Sequence, residues 1–86
     1  MIVHYDADLG ATYVELSDAP AARSTEVLDA YVLVNLDGAG APVGVEVLDA
    51  PASITEAVFS ALAEHFPALD LDRLRAVLAG RALARA

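Results

Sequence analysis

The chain has 86 residues and no cysteine. Disulfides and thiolate chemistry are therefore excluded. Lysine is also missing, since all five basic residues are arginine. That removes Schiff-base chemistry and the lysine of phosphate-binding loops. No apolar run approaches the ~20 residues of a membrane span. Nor does a basic start followed by an apolar stretch read as a secretory leader. A cytoplasmic protein without membrane contact is expected. Basic charge is scarce: thirteen acids against five arginines give a formal charge of −8. Arg23 is the only base before Asp72, whereas Arg73, Arg75, Arg81 and Arg85 crowd the tail. Such an acidic body repels phosphate backbones, so no nucleic acid is expected on residues 1–70. A basic protein partner would be attracted, although the usual meaning of acidity is solubility.

Apolar residues, by contrast, are abundant. They make up 57% of the chain, against roughly 45–50% in ordinary domains. A chain this short buries only about 60–65% of its unfolded surface. The surplus predicts a homo-oligomer, most simply a homodimer, with apolar area shared between a core and a subunit interface. Many of these residues are alanines, which tolerate exposure.

The first half reads as short strands separated by turn signals. Ile2 to Tyr5 is the first candidate and Ala11 to Ser17 the second, with Thr12, Val14 and Leu16 on one face. Asp18 to Arg23 reads as a loop because Pro20 prevents continuation. Glu26 to Leu28 offers a brief pairing segment. Tyr31 to Leu36 and Val43 to Leu48 alternate valines about a glycine-bearing turn, which specifies a hairpin. After Pro51 the period becomes helical. Ser53 and Glu56 have the form of a capping box, and Pro67 stops this helix near Phe66. Asp70 caps a second helix carrying Leu71, Leu74, Val77 and Leu78, with Gly80 as its expected end. The expected fold class is α+β in one domain over residues 1–86. Residues 1–50 form a four-stranded antiparallel meander, and residues 51–86 a helical hairpin packed on one sheet face.

Candidate chemistry is sparse. A calcium loop counted from Asp6 fails, because Ala11 stands where glycine is needed and Ser17 where glutamate is needed. Counted from Asn35, Gly40 and Glu46 fit, yet Ala39 takes a ligand position and the flanks are strands. The segment Gly38 to Gly44 lacks the following helix of a phosphate cradle, and Pro42 removes an amide. No nucleophile–base set surrounds His4 or His65, so no enzymatic activity and no cofactor are expected.

Two constellations depend on the fold. In an up-and-down meander the first and third turns share one end of the sheet, which would gather Asp6, Asp8, Asn35 and Asp37 into a site for a cation or small ligand. The competing reading is that turn aspartates bond their own backbone. The second constellation is the sheet face opposite the valines. Tyr5, Tyr13, Tyr31, Leu33 and Leu48 would lie there with Glu15 and Glu46, forming an interface or an ordinary solvated face.

With strands placed, "YDADLGATYVELSD" and "NLDGAGAPVGVEVLDA" resemble a small bacterial family, domain of unknown function family 2283, over residues 1–50. Matching positions are Tyr5, Asp6, Tyr13, Val14, Leu16 and Ser17, then Asp37, Gly40, Val43, Gly44, Glu46, Leu48, Asp49 and Ala50. Gly10 stands where the family pattern has an aspartate, Thr12 where it has leucine, and Asn35 where it has another aspartate. The resemblance implies a compact β-meander with a C-terminal helical element and supplies no activity. It also implies an association with small ribonuclease-type toxins, and hence an antitoxin-like role.

Overall fold

The computed structural model describes residues 1–6, 8, 10–48 and 54–85. Five strands form one antiparallel sheet: β1 (Ile2–Asp6), β2 (Ala11–Glu15), β3 (Arg23–Val27), β4 (Asp29–Leu36) and β5 (Pro42–Val47). Two helices follow, α1 (Glu56–His65) and α2 (Leu71–Arg85). The α+β class is as expected, but the sheet has a fifth strand, and its order is β1-β2-β5-β4-β3. It is not an up-and-down meander. After the β1–β2 hairpin the chain crosses to the far edge and returns through β4 to β5, which pairs with β2. Leu16 and Ser17 N–H donate to Val43 O, and Ala22 N–H donates to Leu36 O, so the crossing segment is tied at both ends.

The valine alternation sets the faces. Val14, Val45 and Val34 pair in one row across β2, β5 and β4, and Thr12, Val47 and Val32 in the next. Val58, Phe59 and Leu62 of α1 and Leu74 and Leu78 of α2 cover these rows, all buried. Each such side chain contributes roughly 1.5–3 kcal/mol by leaving water. Among the described residues β1 adds nothing to this buried cluster. Its Val3 pairs with Val14 yet remains 39% exposed.

Helix ends follow from local chemistry. The Thr55 hydroxyl accepts from Val58 N–H at 3.3 Å, making Thr55 the N-cap in extended conformation. The capping box expected from Ser53 lies outside the described residues, and the cap that is described sits two positions later. Asp70 caps α2 as expected, its Oδ1 accepting from Arg73 N–H at 3.1 Å. Gly80 does not end α2, which continues to Arg85. A helical glycine costs only about 1 kcal/mol relative to alanine, too little to stop a helix without a further signal. Arg75 joins the two helices: its guanidinium lies 4.2 Å from the Phe59 ring centroid and pairs with Glu56.

Two residues carry identifiable strain. Leu28, between β3 and β4, has φ 70 and is 64% exposed. A left-handed conformation costs a non-glycine residue about 1–2 kcal/mol, whereas glycine's extra freedom in the unfolded chain costs about 0.5–1 kcal/mol. Leu28→Gly should therefore raise stability by up to about 1 kcal/mol in denaturant titration. Thr12 is wholly buried, and its Oγ1 finds no hydrogen-bond partner among the described residues. Thr12→Val keeps the shape and removes the orphaned hydroxyl, so it should stabilise by about 1–2 kcal/mol. Thermal melting checks this, at about 4–8 °C per kcal/mol for a domain of this size.

Candidate interaction surface

The fifth strand decides where the acids go. Each added antiparallel strand reverses the chain direction, so β3 moves the third expected turn to the other end of the sheet. Asp6 and Asp8 flank the β1–β2 turn beside the Ala11 end of β2, whereas Asn35 and Asp37 lie at the β4–β5 turn. The length of β5 separates them, roughly 15 Å at the rise of a strand. The four residues expected as a cation site are not brought together. Among the described residues, no group of three or more histidines and acids is disposed to hold a metal ion.

Each turn instead uses its aspartate locally. Asp6 Oδ1 accepts from Asp8 N–H at 3.0 Å. Asp37 Oδ1 accepts from both Ala39 and Ala41 N–H at 2.9 Å. These bonds fix the turn backbones. Gly10 has φ 63, a conformation that glycine adopts freely and that asparagine and aspartate tolerate best among the rest. The family pattern's aspartate at that position thus has a backbone explanation that needs no ligand.

The uncovered sheet face is the more informative surface. Tyr13 pairs with Glu46, and Glu46 with Leu33, in one row across β2, β5 and β4. Leu48 N–H donates to Tyr31 O at 2.7 Å, which extends the ladder by one pair on the same face. Tyr13, Tyr31, Leu33 and Leu48 therefore share the face away from the helices, and Tyr31 is 52% exposed. Tyr5 does not join them. It pairs with Thr12, which belongs to the valine side, so Tyr5 stands on the helix side of the edge strand. Glu15 and Glu26 are further acids on the uncovered face, by their pairing with Ile2 and Leu33.

The face has internal order. The Tyr13 ring lies across Gly44, where an added Cβ would overlap the ring and hydroxyl, with Cε2 at 2.8 Å. From there the Tyr13 hydroxyl accepts a long hydrogen bond from Asn35 Nδ2 at 3.5 Å. His4 is 6.2 Å from the Tyr13 ring, centroid to centroid, and 3.8 Å from Glu15 Oε2. Together with Asp6, Ala11 and Glu46, His4 and Tyr13 line an open concavity of about 270 Å³. No described nucleophile accompanies His4 there. His65, at the end of α1, is exposed beside Phe66, with ring centroids 6.5 Å apart. The Tyr13–Gly44 contact is not readable from alternation, which assigns a face but not the diagonal along which a ring leans. A glycine inside an otherwise valine-rich strand is the available signal.

Gly44→Ala should displace the ring and destabilise the fold by about 1–3 kcal/mol, the usual cost of overpacking. Adding Tyr13→Ala should recover most of that loss. Chemical denaturation of both single variants and the double variant measures the coupling, and additive effects would refute the contact.

The matched polar positions of the family pattern now divide in two. Asp6 and Asp37 serve their turns, and Ser17 Oγ accepts from Ala19 N–H at 3.2 Å. Glu46 is half-buried on the uncovered face between Tyr13 and Leu33, and no described residue offers it a hydrogen bond. Asp49 lies outside the described residues. No curated protein and no solved structure matches the chain. A family model does match, over residues 2–50, which is more than half of the chain. The chain belongs to the family described as protein of unknown function, DUF2283.

Proposed function

We propose that this protein is a small, non-catalytic interaction module that forms a homodimer and presents its uncovered sheet face to a basic protein partner, in the manner of an antitoxin. The carrying observation is the composition of that face. Tyr13 and Tyr31 supply apolar area with polar tips, Leu33 and Leu48 add further apolar area, and Asp6, Glu15, Glu26 and Glu46 lie on the same face. No arginine pairs into that face among the described residues; Arg23 pairs with Leu36 on the valine side, and the helices carry Arg73 and Arg75. Such a surface steers cationic proteins toward it and repels anionic ones. Glu46 fits this use, because it lies between Tyr13 and Leu33 and no described residue offers it a hydrogen bond.

The rival reading, a cation- or small-ligand-binding domain built on the acidic turns, has lost its geometric basis, since Asp6 and Asp8 lie at the opposite end from Asn35 and Asp37. No helix among the described residues is long and apolar enough to cross a membrane. Co-expression with the product of the adjacent gene tests the proposal. The expected result is a complex that copurifies with the wild type and is lost in a Glu15→Arg, Glu46→Arg double variant. A complex indifferent to this charge reversal, or none at all, overturns the partner reading.

A further inference from the structure

The two sheet edges differ in a way that bears on self-association. β3 starts at Arg23, carries Glu26, shifts register between Glu26 and Val27, and ends against the left-handed Leu28. Charge, bulging and a distorted end are how proteins protect an edge from pairing with another chain. β1 has neither a bulge nor a distorted end, and its one charged acid, Asp6, stands at its last position. Its sequence, IVHYD, contains no proline, lysine or arginine, and its pairing with β2 runs without a register shift. Ile2 is 57% exposed on one side and Val3 39% exposed on the other, so each face of the strand shows solvent an aliphatic side chain.

From this contrast we infer that β1 is the homodimer interface, pairing antiparallel with β1 of a second copy about a two-fold axis through His4. The inference rests on the homodimer proposed above and specifies its surface. Self-pairing centred on His4 uses all five residues of the strand. It sets Val3 opposite Tyr5 of the second copy, and Tyr5 opposite that copy's Val3. Both residues are on the helix side of the sheet, where Val3 is 39% exposed and Tyr5 half-buried. Aromatic–β-branched cross-strand pairs of this kind are favourable, and the two-fold axis supplies two of them.

Charge selects the occupant. Each chain carries a formal charge of −8, so two copies meet at least cost where the acids are fewest. Asp6 is the only acid of β1. In the paired strands each Asp6 faces Ile2 of the other copy, which puts the two carboxylates about 13 Å apart, beyond the screening length of ~8 Å at physiological ionic strength. Stacking two uncovered faces would instead oppose Glu15, Glu26 and Glu46 with their own copies. The edge therefore takes the second copy, and the acidic face stays open for the partner.

A chain without cysteine permits a clean cross-linking test. Paired strands hold residues on the axis about 4.5–5.5 Å apart at Cα, within disulfide range. His4→Cys should form a covalent dimer on mild oxidation at micromolar protein, while Thr25→Cys on the exposed β3 edge should not. Light scattering after gel filtration should show a wild-type dimer, and Val3→Lys should weaken it at least about tenfold. Circular dichroism confirms that the variant remains folded. A wild-type monomer throughout would overturn both this inference and the proposed homodimer. A wild-type dimer whose His4→Cys variant fails to cross-link, or does so no faster than the Thr25→Cys variant, would overturn the edge pairing alone. A dimer joined through position 4 that captures no basic protein would leave the edge intact and remove the partner reading.

Discussion

Thr12 with Val47 and Val14 with Val45 form the ladder on which the other relations in the molecule depend. These pairs join the β1–β2 hairpin to a three-stranded unit that follows it in the chain, closing a long loop whose entropy the local turns do not offset. Because β2 lies beside β5 and not beside the strand that follows it, β3 is sent to the far edge. The same pairing puts Thr12 and Val14 in line with Val32 and Val34, giving a continuous apolar surface for α1 and α2. Without it, β1 and β2 would be an isolated two-stranded hairpin, marginal in water.

The arrangement also distributes the chemistry. The acids that a simple meander would gather into one site are divided between two ends, and Asp6 and Asp37 are each occupied by their own turn. Glu15, Glu26 and Glu46 are gathered instead on the face away from the helices. The edges are unequal because β3 carries the charges and the irregular end while β1 carries the exposed aliphatics. One surface thus collects acidic side chains, and the other is a sheet edge that carries a single acid, Asp6. These surfaces lie on different parts of the sheet and can be occupied together.

How far the fold and the candidate site are legible in the sequence depends on how strongly each segment is buried. The hairpin of β4 and β5 is clear, because five valines at alternate positions require one buried face. The cap at Asp70 is clear for a similarly local reason. β3 is not legible beyond its last residues. Arg-Ser-Thr-Glu-Val has a single apolar residue, is exposed except at Val27, and forms because the edge of β4 offers unpaired backbone. No periodicity marks such a strand, and one unmarked strand is enough to reverse the direction of everything after it. Tyr5 reads onto the wrong face for a related reason: the parity of β1 is set by its register with β2, which the turn between them controls.

The matched family positions can be weighed by what the backbone demands of them. Gly40 takes φ 86, Asp37 closes the turn it begins, Ser17 bonds within its own turn, and Gly44 leaves room for the Tyr13 ring. Each of these has a local explanation in the backbone or its packing that calls for no ligand. A pattern made mostly of such positions explains how resemblance can specify architecture and remain silent on activity. Function should be sought where the fold makes no demand, in side chains whose identity costs stability or leaves it unchanged. Among the described residues no hydrogen bond reaches the Glu46 side chain on the open face, Tyr31 is half out of that face, and Ile2 is exposed on the edge strand. All three are placed where a second protein surface would give them a purpose.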